Sequence, residues 1–340
     1  MAKNILVTGA NGYIGSHLVD YLTQDEDNQV HCMILKGTDE ANLDDARQKP
    51  NFSIVYADLM DPSSLEKAFE GIDIIYHLAA LVTDWAPKDL FMRLIVGGTK
   101  NVVEAAIKKG VKRIVYMSSL VVHGLGGHDH ADESTPINPV PFFPYAIAKA
   151  EAEKYLGEIN AAGTLETVIV RPGFDIVGPR NATSFFEMAK NIEKGRFGFL
   201  NDGKSLITLV NVKNLVAGMA HLGNYPAAAG EAYIVTDVSW TWRQYTEEIC
   251  KRLGSKLPKL NTSYGLVAPF VKLSEKFARA FKSKKPPLLT LYRISVPRFN
   301  IDFRADKLLS TGFIPPYSFE QGLDEAIAWY KARKNADMAK

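Results

Sequence analysis

Six short apolar runs separated by amphipathic stretches fill the first half of the chain and restrict the folds open to it. They read "NILVTG", "QVHCMIL", "FSIVYADL", "IDIIYHLAA", "VKRIVYMSS" and "LETVIVRP", and each ends near turn residues. Runs this continuously apolar suit strands of a parallel sheet, which helices cover on both faces. The segments between them carry helix signals. Ile14, Leu18 and Leu22 recur every four residues, Asp61 stands as an N-cap before Pro62, and "KKG" at 108–110 ends a helix with basic side chains and a stop glycine. Such alternation predicts an α/β fold, a doubly wound parallel sheet with right-handed crossovers.

The first strand–helix junction is unusually specific. "VTGANGYIGSH" places Gly9, Gly12 and Gly15 directly after strand 1 and at the opening of helix 1. A tight turn wants one glycine, close approach of backbone to a pyrophosphate wants another, and helix–strand packing wants the third. An anion then rests on free N–H groups at the helix start. The spacing G-x-x-G-x-x-G is one residue wider than the usual dinucleotide fingerprint. At the tip of strand 2, "MILKGTDE" has Leu35 and Lys36 and no carboxylate before Asp39. A basic residue there suits a 2′-phosphate, so Lys36 tilts the choice of cofactor toward NADP, with NAD the alternative.

A third feature lies further on. "YMSSLVVHG" ends the fifth strand with Ser118 and Ser119, and "PYAIAK" opens a helix with Tyr145 and Lys149 on one face. A phenol titrates near 10, but an adjacent ammonium lowers that value and makes it a usable acid or base. Such a tyrosine can protonate a carbonyl oxygen as hydride arrives, or deprotonate an alcohol as hydride leaves. A serine hydroxyl opposite holds the same oxygen.

These residues together resemble the extended short-chain dehydrogenase/reductase family, within the NAD-dependent epimerase/dehydratase superfamily. The resemblance covers nearly the whole chain. "TGANGYIG" matches the cofactor turn, implying that Gly9, Asn11, Gly12, Tyr13, Ile14 and Gly15 line the dinucleotide. "ADL" brings Asp58 and Leu59 to the adenine, and "HLAA" brings Leu78, Ala79 and Ala80 beside the cofactor. "SSLVVHG" points to Ser119 rather than Ser118, "PYAIAK" gives Tyr145 as acid/base and Lys149 as its tuner and ribose ligand, and "RPG" puts Pro172 and Gly173 near the nicotinamide. Three departures stand out. Ile95 replaces an asparagine, His123 replaces the tyrosine of V-Y-G, and Phe174 with Asp175 occupy the place of the asparagine that sugar-nucleotide members use.

The implied function is hydride transfer between a nicotinamide and a secondary alcohol or ketone on a steroid- or flavonoid-like ring. This follows the likeness of "HLAALVTDWAP" and "GEAYIVTDVSWTWRQ" to the 3β-hydroxysteroid dehydrogenase and dihydroflavonol reductase branch. The alternative is a sugar-nucleotide 4-epimerase using the same three residues, and a third reading is a non-catalytic dinucleotide-binding regulator. The expected organisation is a Rossmann domain over 1–172 with strands returning at about 206–236. A smaller substrate-binding region then spans 173–205 and 237–335. The resemblance also implies a homodimer through helices at about 90–109 and 144–162.

Composition removes other classes. The net charge of +2 over 340 residues gives no case for nucleic acid. No apolar stretch approaches the roughly 20 residues of a spanning helix. Cys32 and Cys250 are too few for a disulfide framework, and "MAKNILVTG" enters structure without a leader pattern, so a cytoplasmic location is expected. The His/Asp-rich "HGLGGHDHADES" reads as a solvated loop rather than a metal site. The stretch 266–285 combines an apolar stripe with lysines. Packing on its own domain is the expected role, with peripheral membrane contact the alternative.

Overall fold

The computed structural model describes residues 3–281, 283, 285–287 and 289–338. Its centre is a seven-stranded sheet built from β1 (Lys3–Thr8), β2 (Asn28–Ile34), β3 (Phe52–Tyr56), β4 (Ile74–His77), β5 (Arg113–Met117), β6 (Glu166–Pro172) and β7 (Ala232–Val235). The order is β7-β6-β5-β4-β1-β2-β3, and every neighbouring pair is parallel. The six expected strands are all present.

Alternation along each strand explains why the runs are continuously apolar. On β1, Ile5 and Val7 enter the core beneath α1 (Tyr13–Leu22), while Leu6 enters the opposite core beneath α2 (Pro62–Ala68), α3 (Gly98–Lys109) and α4 (Pro144–Ala161). On β5, Val115 and Met117 join the first layer and Ile114 and Tyr116 the second. Both faces are thus dry, as parallel sheets require. The helix signals hold locally. The Asp61 carboxylate accepts from the Ser63 N–H at 3.0 Å with Pro62 at the first helical position, and Gly110 adopts a left-handed φ of 71° to stop α3. The helix expected at 90–109 has a wide π-type turn over Met92–Gly97 before α3 proper.

After β6 the chain leaves the main sheet. Leu206–Asn211, expected to return beside Ala232–Val235, instead founds a second, five-stranded sheet. It pairs with Val238–Thr241, Ile301–Phe303 and Asp175–Val177, and His128–Ala131 completes the far edge. The "HGLGGHDHADES" segment is therefore partly strand: His128 packs on Phe303 with ring centroids 4.8 Å apart, and His130 Nδ1 lies 2.9 Å from Asp302. No cluster of three metal-ligating side chains occurs among the described residues. A third core joins α5 (Ser184–Glu193), α7 (Trp242–Leu253) and the C-terminal helix to this sheet, while α6 (Val212–Asn224) packs its apolar side on the main one.

The strand order reverses between β4 and β1, because the chain runs outward through β2 and β3 and then crosses back. A crevice therefore opens above the carboxyl ends of β1 and β4. No described helix is long and apolar enough to cross a membrane.

Candidate active site

The glycine turn closes over the end of β1. Gly9 holds a φ of +65°, and a Cβ there would stand 3.0 Å from the backbone of Ala79. A Cβ on Gly15 would lie 2.2 Å from the Gly9 carbonyl oxygen, and one on Gly12 at 3.1 Å. The backbone thus forms a bare cradle at the start of α1, whose first turn no side chain caps. Unfilled N–H groups and the helix dipole favour an anion there. These residues fit a dinucleotide pyrophosphate. Alanine at Gly15 forces the turn apart, so G15A lowers stability by an overpacking penalty of about 1–3 kcal/mol, read as a lower Tm, and weakens dinucleotide binding in a titration.

The neighbouring loops are pinned in place. Thr8 Oγ1 accepts from the N–H groups of Leu78 and Ala79 at 3.1 and 3.0 Å and contacts His77 Nδ1 at 2.8 Å. With its lone pairs used, the Thr8 hydroxyl donates to Nδ1, so Nε2 of His77 donates to Thr99 Oγ1 at 3.2 Å. Burial pulls His77 down to about 3, which keeps this ring neutral. The Asn11 amide donates to Thr38 Oγ1 and the Asp39 carbonyl, tying the turn to the loop after β2. The Tyr13 hydroxyl donates to the Ile176 carbonyl at 3.2 Å. Ile14 and Leu78 pack against the first core, and Leu59 and Ala80 against the second. Lys36 and Asp58 stand exposed beyond β2 and β3, on the far side of β1 from the serine and tyrosine.

Ser119 follows the end of β5, and Lys149, one helical turn from Tyr145 on α4, reaches the same strand end at Met117. Ser118 is buried, whereas Ser119 is partly open and accepts one long bond, 3.4 Å, from the Val121 N–H. That leaves the Ser119 proton available to a ligand. Lys149 is 2% exposed and donates to the Met117 carbonyl at 2.6 Å. Its Nζ stands 4.6 Å from the centroid of Tyr116 and 5.8 Å from that of Tyr145. Burial draws Lys149 down to about 7, against the opposing charge of Glu153. The expected lowering of the Tyr145 phenol by the lysine does not arise among the chain's own groups. Burial raises it instead, and the ammonium is both neutralising and turned toward Met117. At neutral pH the phenol is a proton donor.

One turn beyond Lys149, Glu153 makes a two-pronged ion pair with Arg171, at 3.0 and 2.6 Å. Both side chains are at most 5% exposed. Arg171 also reaches His123 Nε2 at 3.2 Å, and burial with the arginine's charge brings that ring down to about 4, so it accepts as a neutral base. Here His123 is a buttress of β6 rather than a reacting group. Pro172 and Gly173 follow, the latter donating to Val235 across the sheet edge at 2.8 Å.

Sequence reasoning missed the side-chain contacts around Asp175 and Tyr145. Asp175 accepts from the Tyr245 hydroxyl at 2.9 Å and from Ser184 at 3.4 Å, and burial pushes its carboxyl up to about 6. The Tyr145 ring packs between Phe91 at 6.2 Å and Phe143 at 5.6 Å, and Phe143 stacks on Tyr292 at 3.9 Å. Tyr292 belongs to α9 (Leu291–Ser295), which Asp84 holds through Thr290 Oγ1 at 2.7 Å and Arg293 at 2.8 Å. Asp175 and Tyr245 lie 70 positions apart and Asp84 and Thr290 lie 206 apart, with no local motif, so only the fold brings them together.

The model of the family described as NAD dependent epimerase/dehydratase matches residues 5–236. The chain is 29% identical over 338 residues to the N-acetyl-alpha-D-glucosaminyl-diphospho-ditrans,octacis-undecaprenol 4-epimerase of Escherichia coli O157:H7, covering 97% of this chain and 96% of that protein. It is 28% identical over 348 residues to the 3beta-hydroxysteroid-dehydrogenase/decarboxylase isoform 1 of Arabidopsis thaliana, covering 95% of this chain and 78% of that one. Among solved structures, gox2253 superimposes with a TM-score of 0.80 at 26% identity, covering 97% of this chain and 98% of the other.

Proposed function

The chain belongs to the NAD dependent epimerase/dehydratase family and is an enzyme of the short-chain dehydrogenase/reductase type; from that premise we propose that it interconverts a secondary alcohol and a ketone on an apolar ring substrate, steroid- or flavonoid-like. The aromatic surroundings of Tyr145 carry this reading: Phe91 and Phe143 are buried against its ring and the part-exposed Tyr292 stacks on Phe143, so the phenol sits in an apolar environment with few hydrogen-bonding groups. We assign Tyr145 as the general acid/base, Ser119 as the donor that orients the substrate oxygen, and Lys149 as the group that grips the ribose. The glycine turn and Leu78–Ala80 hold the pyrophosphate and nicotinamide half, Asp58 and Lys36 the adenosine half. NAD when bound supplies the site that gives or takes the hydride.

In the reducing direction, Ser119 donates to the ketone oxygen and Tyr145 delivers its Oη proton as the carbonyl carbon gains hydride. In the oxidising direction the alcohol loses its O–H proton to the Tyr145 phenolate and its C–H as hydride. The region 173–205 with 237–335 forms the substrate lobe, and helices α3 and α4 form a homodimer interface. The carboxylate of Asp175, buried beside Tyr245, positions polar groups of the substrate.

The similarity to the Escherichia coli epimerase supports a second reading, transient oxidation and re-reduction of a sugar hydroxyl. Turnover separates the two. Incubating the enzyme and NAD with steroid, flavonoid and sugar-nucleotide alcohols yields stoichiometric NADH only with the apolar ring alcohols on the first reading. An inverted sugar hydroxyl without NADH accumulation overturns it. Lys36 supports a tilt toward NADP; K36D then raises KM for NADP at least about tenfold while leaving KM for NAD within a factor of two, in line with loss of one phosphate partner.

A further inference from the structure

The helix that sequence alone expects to pack on its own domain does so with only one face. On α8 (Tyr264–Ala280), Ala268 and Val271 are buried against Ile294. The opposite face carries Leu266, Phe270, Leu273, Phe277 and, just past the helix, Phe281, which are 68, 75, 53, 56 and 81% exposed. Their spacing of three or four residues puts them on one stripe. A contiguous exposed apolar stripe of this size marks an interaction surface.

Charge selects the partner. Lys272, Lys276 and Arg279 are exposed and, at the same helical spacing, follow one edge of the stripe. Residues 266–285 hold six Lys or Arg against one Glu, although the whole chain nets only +2. (Lys282 and Lys284 lie outside the described residues.) An apolar stripe beside a cationic edge matches the acyl boundary and the phosphates of an anionic lipid surface. We propose that α8 docks the protein on an anionic bilayer, with Phe270, Phe277 and Phe281 entering the acyl boundary and Lys272 and Lys276 meeting lipid phosphates.

The same helix borders the reaction centre. The Arg279 guanidinium lies 4.4 Å over the Trp85 ring, and Trp85 Nε1 donates to the Ser283 carbonyl at 3.0 Å. Trp85 adjoins Asp84, which holds α9 and hence Tyr292 against Phe143. A chain of contacts thus links α8 to Tyr145 through Trp85, its neighbour Asp84, Tyr292 and Phe143. The docking itself stands whether or not the substrate is apolar.

Flotation of the full chain with vesicles tests this. Phosphatidylcholine vesicles containing phosphatidylglycerol carry the protein upward, and phosphatidylcholine alone carries at least about tenfold less, as expected for several cationic contacts. F270S/F277S and K272E/K276E each lose at least about tenfold of that binding while Tm and NADH affinity stay at wild-type values. Absence of flotation with the anionic vesicles overturns the proposal, as does unchanged binding by either variant. A wild-type oligomer that F270S/F277S dissolves in sedimentation equilibrium also overturns it, because a second copy then covers the stripe.

Discussion

The Tyr145→Phe protein folds with wild-type Tm and wild-type dinucleotide affinity, while its kcat falls by about two to four orders of magnitude, the range for removing a positioned acid/base. The replacement removes one oxygen from a ring held by Phe91 and Phe143, so packing survives. Steady-state kinetics beside a thermal melt separate the two effects. Retention of more than about one tenth of wild-type kcat removes Tyr145 from the chemistry. The pH profile gives an independent check. Burial raises the phenol, so its protonated form persists well above neutrality and ketone reduction stays flat through that range. Alcohol oxidation needs the phenolate and climbs with pH. A kcat/KM for oxidation that is flat from acid to alkaline pH contradicts this assignment.

Glu153→Gln lowers stability by about 3–5 kcal/mol, the usual consequence of leaving one member of a buried ion pair unmatched. The glutamine amide oxygen still accepts from Arg171, but the guanidinium charge is then unmatched, with His123 at 3.2 Å a neutral ring. Adding Arg171→Met to Glu153→Gln removes the stranded charge, and the double variant regains much of the loss in a urea-unfolding cycle. Additive losses exclude the pair as the cause. Glu153 also lifts Lys149, so its neutralisation lets burial carry that amine below about 7. Any acid limb that belongs to Lys149 therefore moves to lower pH in the variant.

The strands of the main sheet were legible because burial on both faces leaves a continuous apolar signature, and the glycine turn because only hydrogen side chains fit where Gly15 approaches the Gly9 oxygen. Tyr145 and Lys149 were legible as an i, i+4 pair. The second sheet was not: Leu206–Asn211 reads like a main-sheet strand, and its sheet is decided by partners as distant as Ile301. His128–Ala131 was hidden for a similar reason, a short polar strand whose pairing comes from Ile301–Phe303. The Asp175–Tyr245 and Phe143–Tyr292 contacts leave no spacing pattern at all. For α8, periodicity revealed an apolar helix, and Ala268 and Val271 do pack on Ile294, but it does not reveal how many apolar side chains are left without a partner.

The position of β7 at the edge beside β6 has a consequence for biosynthesis. Val168 and Val170 pair with β5 early, but the other side of β6 waits for residues 232–235, after a detour that lays down strands of the second sheet. While the nascent chain is still emerging, that flank is an open row of backbone donors and acceptors, the kind of surface on which chains join one another. A ribosome stalled before residue 232 therefore releases a sticky fragment that holds the glycine turn, the serine and the tyrosine and still has an unfinished rim.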